Sequence, residues 1–321
     1  MRKTHGPEEI FLRVHVGQEG IMAVFLQLLV YGLQLGSIYA LLAIGYTMVF
    51  GIIKMINMAH CDFLMMGCYI VYFLVSVFFG GEMIGPAIAL LVVMLGSGVI
   101  GMVGVGIERV AYRPLRNRPT IMCMISAIGV SIFTQNLFRA VPFIGPNPRS
   151  FPQLIQDFLI QVGPVKISFT RIITIVLSIL IMLLLFWLIQ KSKIGMQMRA
   201  VSNDKDASCL MGININRVIS ITFFIGAFLA AVSGTFYASS YPVLQPTMAT
   251  TLGNKAFIAA VVGGIGDIRG AVLGGFIIGV TEILVTSVWS DFAYGFCFLI
   301  LILILLIKPE GILGKPVKEK V

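Results

Sequence analysis

Residues 63–80, "FLMMGCYIVYFLVSVFFG", contain no charged residue and run for the length of a bilayer-spanning helix. Uncharged apolar stretches recur at 84–107, 119–138, 172–190 and 292–307. Two more, 20–53 and 218–254, are too long for one helix rising ~1.5 Å per residue across a ~30 Å core. Each is expected to break. Pro242 and Pro246 supply the break in the second by removing amide donors and fixing φ; in the first, "LQLGS" at Leu33–Ser37 is the expected site.

Across 321 residues, 58% are hydrophobic and 12% charged. The mean hydropathy is +0.98, more apolar surface than one soluble core can bury. The composition is helical and lacks the weak alternation of barrel strands. The fold class is therefore all-α, a polytopic helical membrane protein. Its formal charge of +9 sits in loops beside apolar segments, which favours membrane orientation over nucleic-acid binding.

Arg109, Arg113, Arg116 and Arg118 form one basic cluster; Lys191, Lys193, Arg199, Lys205 and Arg217 form a second; Lys308, Lys315, Lys318 and Lys320 form a third. The positive-inside rule puts all three at the cytoplasmic face. The segment 139–171, with "FIGPNPRSFP", is then outside. Spans near 21–35, 37–53, 62–80, 84–107, 119–138, 172–190, 218–239, 247–264, 268–287 and 291–307 make about ten transmembrane helices, with both termini cytoplasmic. Division into 21–138 and 172–307 permits an inverted five-plus-five repeat of the kind seen in transporters, without sequence identity between the halves.

The five cysteines, Cys61, Cys68, Cys123, Cys209 and Cys297, are scattered with no C-x-x-C pair and indicate neither disulfides nor zinc. Residues 1–20 carry charges like a signal n-region, but no small-residue cleavage pattern follows; they are read as an N-terminal extension, with the transmembrane domain over 21–321.

The glycine-rich stretch "GGIGDIRGAVLGG" at 263–275 lacks the Lys and hydroxyl of a P-loop, so ATP is not bound there by that device. Gly270 and Gly274, then Gly275 and Gly279, form two G-x-x-x-G pairs that allow close helix approach. Gly263 and Gly264 lead into a tight cytoplasmic turn ending near Gly270. The polar insert 191–216 is patterned as a docking element: Asn203 or Asp204 can cap a short helix, Ala207, Leu210 and Met211 give it an apolar side, and Gly212 can end it.

Lys54, Asn57, His60 and Asp62 crowd the end of one span. The i, i+2 spacing of His60 and Asp62 points them to different sides of a helix and argues against a metal site; helix capping at the interface is the expected role. Tyr39, Tyr46, Gln135, Asn136 and Glu282 are polar residues at membrane depth, where such groups face a pathway or a partner helix. Glu282 either does so or snorkels to the outer surface. Lys255 either meets a substrate carboxylate or snorkels. Tyr46, Asn57, Gln135, Asn136, Lys255 and Glu282 are the candidate substrate-pathway residues.

The segments "GSIYALLAIGYTMVFGIIKMINMAH" (36–60), "ERVAYRPLR" (108–116), "AIGVSIFTQN" (127–136), "MGININRVISITFFIGAFLAAVSG" (211–234), "KAFIAAVVGGIGDIRGAVLGG" (255–275) and "PEGILGKP" (309–316) together resemble the H-type permease subunit of bacterial branched-chain amino-acid ABC importers, over about residues 22–321. The resemblance implies an inner-membrane permease pairing with an M-type permease, two cytoplasmic ATP-binding subunits and a periplasmic binding protein. It implies no catalysis and no cofactor in this chain, ATP and Mg belonging to the partner ATPases. It also assigns Gly195, Arg199, Ala200, Leu210, Gly212 and Ile213 to the loop where the ATPase docks. Two departures stand out: Cys61 replaces a glycine, and Lys54 replaces a small residue. The alternatives are an ABC permease for urea or short amides, and an ion-gradient-driven secondary transporter, which needs an ionisable mid-membrane relay.

Overall fold

A computed structural model describes residues 18–116, 118–163 and 165–314. Most of the proposed extension and Lys315, Lys318 and Lys320 of the third basic cluster lie outside the described residues. The helices are α1 (Gln18–Ile53), α2 (His60–Phe79), α3 (Pro86–Ile107), α4 (Thr120–Ala140), α5 (Phe169–Lys191), α6 (Lys193–Asn203), α7 (Lys205–Leu210), α8 (Ile215–Ser240), α9 (Met248–Gly263), α10 (Ile268–Val288) and α11 (Ala293–Ile307). Four short strands are β1 (Arg149–Ser150), β2 (Leu159–Val162), β3 (Val165–Ser168) and β4 (Val243–Leu244). β1 pairs antiparallel with β4, and β2 with β3. Among the described residues, eight helices are long and apolar enough to cross a membrane, and α9, with 16 residues, is an apolar ninth.

The expected break at Leu33–Ser37 is absent: α1 is one helix of 36 residues. At ~1.5 Å per residue it is about 54 Å long, well over a ~30 Å hydrocarbon core. Two of its buried polar side chains bond without unwinding the helix. Ser37 donates to the Gln34 carbonyl at 2.7 Å, and the Gln34 amide bonds Ser240 of α8. Gly32 and Gly36 do not break the helix because α10 packs onto them, at Val280 and Phe276. The break expected in 218–254 does occur, with Pro242 and Pro246 between α8 and α9.

The crossings alternate between two faces. Gly51 near the end of α1 accepts a hydrogen bond from Ser202 of α6 at 2.7 Å, and Arg269 at the start of α10 lies over the Phe186 ring near the end of α5. Leu313 donates to the Gly263 carbonyl at 2.9 Å, so the segment after α11 lies there too. On the other face, Gln27 accepts from the Lys166 amide of β3 at 3.0 Å, Ile84 donates to Leu154, and Phe151 to Pro242. With α1 a single helix, Gln18 lies toward the face of β3 and Lys308 toward that of the handle. Among the described residues, 21–138 carries four long apolar helices and 172–307 carries five.

α1, α2, α8, α9 and α10 form the core, where Leu41, Phe63, Ala230, Ala259 and Ile278 are fully or almost fully buried. α1 and α10 are the most closely packed pair. Gly275 rests on Ala40 and Gly279 on Gly36, where a Cβ would strike backbone. That approach gains dispersion contacts where lipid removes the hydrophobic drive between helices. α4, α5 and α11 line the outside and turn most of their apolar side chains outward.

Candidate functional site

α6 and α7 form a two-helix handle below α5. Ser192 caps α6 by accepting from the Gly195 amide at 3.0 Å. Gly195 lies directly on the Ile189 backbone, with no room for a Cβ, and the Arg199 guanidinium bonds the Ile189 carbonyl. Together they weld α6 to the C-terminal end of α5, where carbonyls lack helical partners and a cation is favoured. Met198 and Val201 are buried beside them. Ala200 is half-buried.

Asp204 caps α7, accepting from the Asp206 amide at 3.0 Å and the Ala207 amide at 3.1 Å. The cap is Asp204 rather than Asn203. Gly212, at φ 78°, ends the helix in the left-handed region, and the Ile213 amide reaches back to Ser208 at 3.0 Å. This sharp stop leaves Leu210 90% and Met211 82% exposed at the tip, while Ile213 turns back against the core. Such an apolar pair at the end of a polar element is a contact surface without a partner in the isolated chain. Partial desolvation and the neighbouring Arg116 and Lys54 hold the Lys205 ammonium below its usual range, so the handle stands in a positive field.

Glu282 and Lys255, flagged separately in the sequence, meet each other. Lys255 Nζ lies 2.6 Å from Glu282 Oε1, and the Tyr39 hydroxyl donates to Glu282 Oε2 at 2.9 Å. Glu282 is 9% exposed. Snorkelling is thus overturned for both residues: the ion pair ties α9 to α10, and Tyr39 ties the pair to α1.

The 54–62 segment is not an interfacial cap. α1 ends at Ile53, and Lys54 just after it is the one non-glycine residue with positive φ among those described, at 63°. The chain then turns back into the protein, so that α2 begins beside Gly45 of α1 and Gly226 of α8. Gly45 is about 12 Å inside the end of α1. The left-handed position is Lys54, and Cys61 needs no glycine geometry because it already belongs to α2; its side chain fills the space over Gly253 of α9. Asn57 Oδ1 accepts from the Tyr112 hydroxyl at 2.8 Å and the Ala59 amide at 3.1 Å. The Tyr46 hydroxyl bonds Cys61 Sγ, and the Tyr46 ring packs 4.5 Å from that of His60. Asp62 points the other way, accepting from Gln135 of α4 at 3.0 Å. Gln135 Oε1 in turn accepts from Thr250 of α9 at 3.5 Å. Asn136 is apart from these groups, exposed on α4 and bonded to its own helix at Ile132.

At the turn between α9 and α10, Gly264 has φ 110° and faces Gly311 and Gly314, while Gly263 and Gly270 touch backbone to backbone and Gly274 meets Ala259. Asp267 caps α10, accepting from the Arg269 amide at 2.8 Å.

Sequence reading did not connect Glu108 to anything. It is fully buried where α3 widens into a π-helical turn over Glu108–Tyr112. Arg116 pairs with it, Ser220 of α8 donates to it at 2.7 Å, and Arg116 also reaches Asn216 at 2.7 Å. The signal was present in "ERVAYRPLR", but pairing across eight residues requires the turn that only the folded chain reveals.

A family model described as branched-chain amino acid transport system / permease component matches residues 28–306. The chain is 41% identical over 307 residues to the high-affinity branched-chain amino acid transport system permease protein BraD of Pseudomonas aeruginosa, covering 92% of this chain and 98% of that one. It is 41% identical over 309 residues to the permease protein LivH of Escherichia coli K12, with the same coverages. A probable LivH of Methanocaldococcus jannaschii is 26% identical over 295 residues, 87% of this chain and 89% of that one. No solved structure matches the chain. Read with its bundle of membrane-length helices, these matches show that the chain belongs to the branched-chain amino acid transport permease family.

Proposed function

We propose that this chain is the H-type translocating subunit of an ATP-driven importer of branched-chain amino acids in the bacterial inner membrane. It works with an M-type permease, two cytoplasmic ATP-binding subunits and a periplasmic binding protein. The observation that carries the reading is the α6–α7 handle: Gly195 and Arg199 fasten it to α5, and Leu210 and Met211 stand free at its tip. A rigid lever with an exposed apolar end is what a separate motor needs, because motion imposed at the tip passes into α5 without being absorbed by a loop. The ATPase binds against Leu210, Met211 and Gly212, with acidic groups facing the positive surface around Lys205. The chain breaks no substrate bonds and holds neither ATP nor Mg. Its N-terminal helix end is external and its C-terminal end cytoplasmic.

Substrate passage follows the polar groups on α2, α4 and α9, where Asp62, Gln135 and Thr250 form a chain. Tyr46 and Asn57 are buried nearby, and the Lys255–Glu282 pair braces α9 against α10. The four-subunit assembly with its binding protein, reconstituted in liposomes, is expected to take up leucine with ATP and no ion gradient. Uptake driven by a proton or sodium gradient without ATP would establish the secondary-transporter reading instead, and preference for urea or short amides would change the substrate.

A further inference from the structure

On the face that carries the handle, α3 with the turn that follows it and the start of α8 flank an open groove of ≈ 440 Å³. Arg109, Arg113 and Arg217 line its mouth, and Met102, Ile221 and Phe224 line its inner part. The groove follows the helices: Met102 to Arg113 and Arg217 to Phe224 each cover about 10–17 Å of helix at ~1.5 Å per residue. Gly101 creates the floor, since the Phe224 ring lies flat where a Cβ would otherwise stand.

Among the described residues, none of the three guanidiniums has a carboxylate partner. The nearby carboxylate, Glu108, is already engaged by Arg116 and Ser220. Three uncompensated cations therefore converge on one mouth, and an anion is the complementary occupant. The inner wall narrows the choice. Met102 is 64% exposed on a helix of membrane-crossing length and lies about two helical turns before Arg109, on the apolar side of the basic mouth. An occupant with an anionic head and an aliphatic tail satisfies both halves of the groove.

We propose that this groove binds an anionic phospholipid, its phosphate held by Arg109, Arg113 and Arg217 and one acyl chain lying along Met102, Ile221 and Phe224. The site does not depend on the transported substrate. Because α8 leads directly from the handle through the Asn214-capped start, an occupied groove joins α3 to the element that follows α7.

The test is native mass spectrometry of the full, delipidated chain titrated with phosphatidylglycerol and, separately, phosphatidylcholine. Phosphatidylglycerol is expected to bind more tightly, each Arg→Gln change at 109, 113 or 217 weakening it about fivefold, with Arg118→Gln having no effect. Millimolar inorganic phosphate is expected not to displace it. Equal binding of the two lipids, or unchanged binding in the triple variant, overturns the proposal. Displacement by inorganic phosphate overturns it in favour of a small-anion site, and displacement by added ATPase subunits overturns it in favour of a protein contact. If the triple variant does not fold, Arg217→Gln against Arg217→Lys decides: the first must weaken binding about fivefold and the second keep most of it, and equal binding by the two overturns the proposal.

Discussion

Lys54 carries a side chain where the backbone is left-handed, which costs a non-glycine residue ~1–2 kcal/mol. Lys54→Gly is therefore expected to raise stability by about 1 kcal/mol, read as a higher Tm in detergent; a lower Tm would mean that the lysine makes compensating contacts. The Lys255–Glu282 pair makes the opposite case. Glu282→Ala leaves a buried ammonium unpaired and is expected to cost about 3–5 kcal/mol, whereas Lys255→Met with Glu282→Leu together recovers most of the loss. Strictly additive single and double variants would show that the two charges do not depend on each other. At the N-terminal end of α5, burial pushes the Asp157 carboxyl up, but hydrogen bonds from Ser168 and Thr170 and the nearby Arg171 prevail and hold it below the usual carboxylate range. A depressed carboxylate contributes stability above its unfolded pKa and loses it as pH falls through the folded one. The contribution of Asp157 should then be constant from neutrality to about pH 5 and fade at lower pH, and Asp157→Asn should remove that acid-dependent part from unfolding measured across pH.

Among elements, the glycines divide by what they face. Gly279 lies on the Gly36 backbone and Gly98 faces open space. Gly279→Ala is expected to destabilise by about 1–3 kcal/mol through forced separation of α1 and α10, while Gly98→Ala is neutral or stabilising by up to ~1 kcal/mol. Equal effects in thermal unfolding would refute close packing as the reason for Gly279. The same distinction explains what was legible in the sequence. Pro242 and Pro246 announced a break correctly because a missing amide donor acts in any surroundings. Gly36 and Ser37 announced a break that does not exist, because their meaning depends on α10, more than 200 residues away. Asp204 and Gly212 could be read as the two ends of α7 because capping is local. The pairing of Lys255 with Glu282, of Glu108 with Arg116, and of Asp62 with Gln135 could not, since each depends on how helices register after packing. The mid-depth start of α2 was hidden for the same reason: a polar run such as Lys54 to Asp62 looks alike whether it ends a helix at the surface or folds back inside.

For the whole molecule, the uninterrupted α1 sets the sidedness. One crossing instead of two places Gln27 beside β3 and Gly51 beside α6, and everything downstream alternates from there. The handle is then on the face of Arg116, Lys191 and Lys308, the side that basic residues mark as cytoplasmic. Leu210→Asp is expected to leave stability unchanged, because the residue is exposed, and to abolish ATP-driven uptake by disrupting the motor contact. Among the described cysteines, Cys209 in α7 is exposed and Cys61, Cys68, Cys123 and Cys297 are buried, so one native thiol reports on the handle. The decisive measurement is its reaction with a membrane-impermeant maleimide. Cys209 should label in inside-out vesicles stripped of the ATPase subunits, be protected when those subunits are restored, and stay unlabelled in intact spheroplasts. Labelling from the outside of intact spheroplasts would contradict the account.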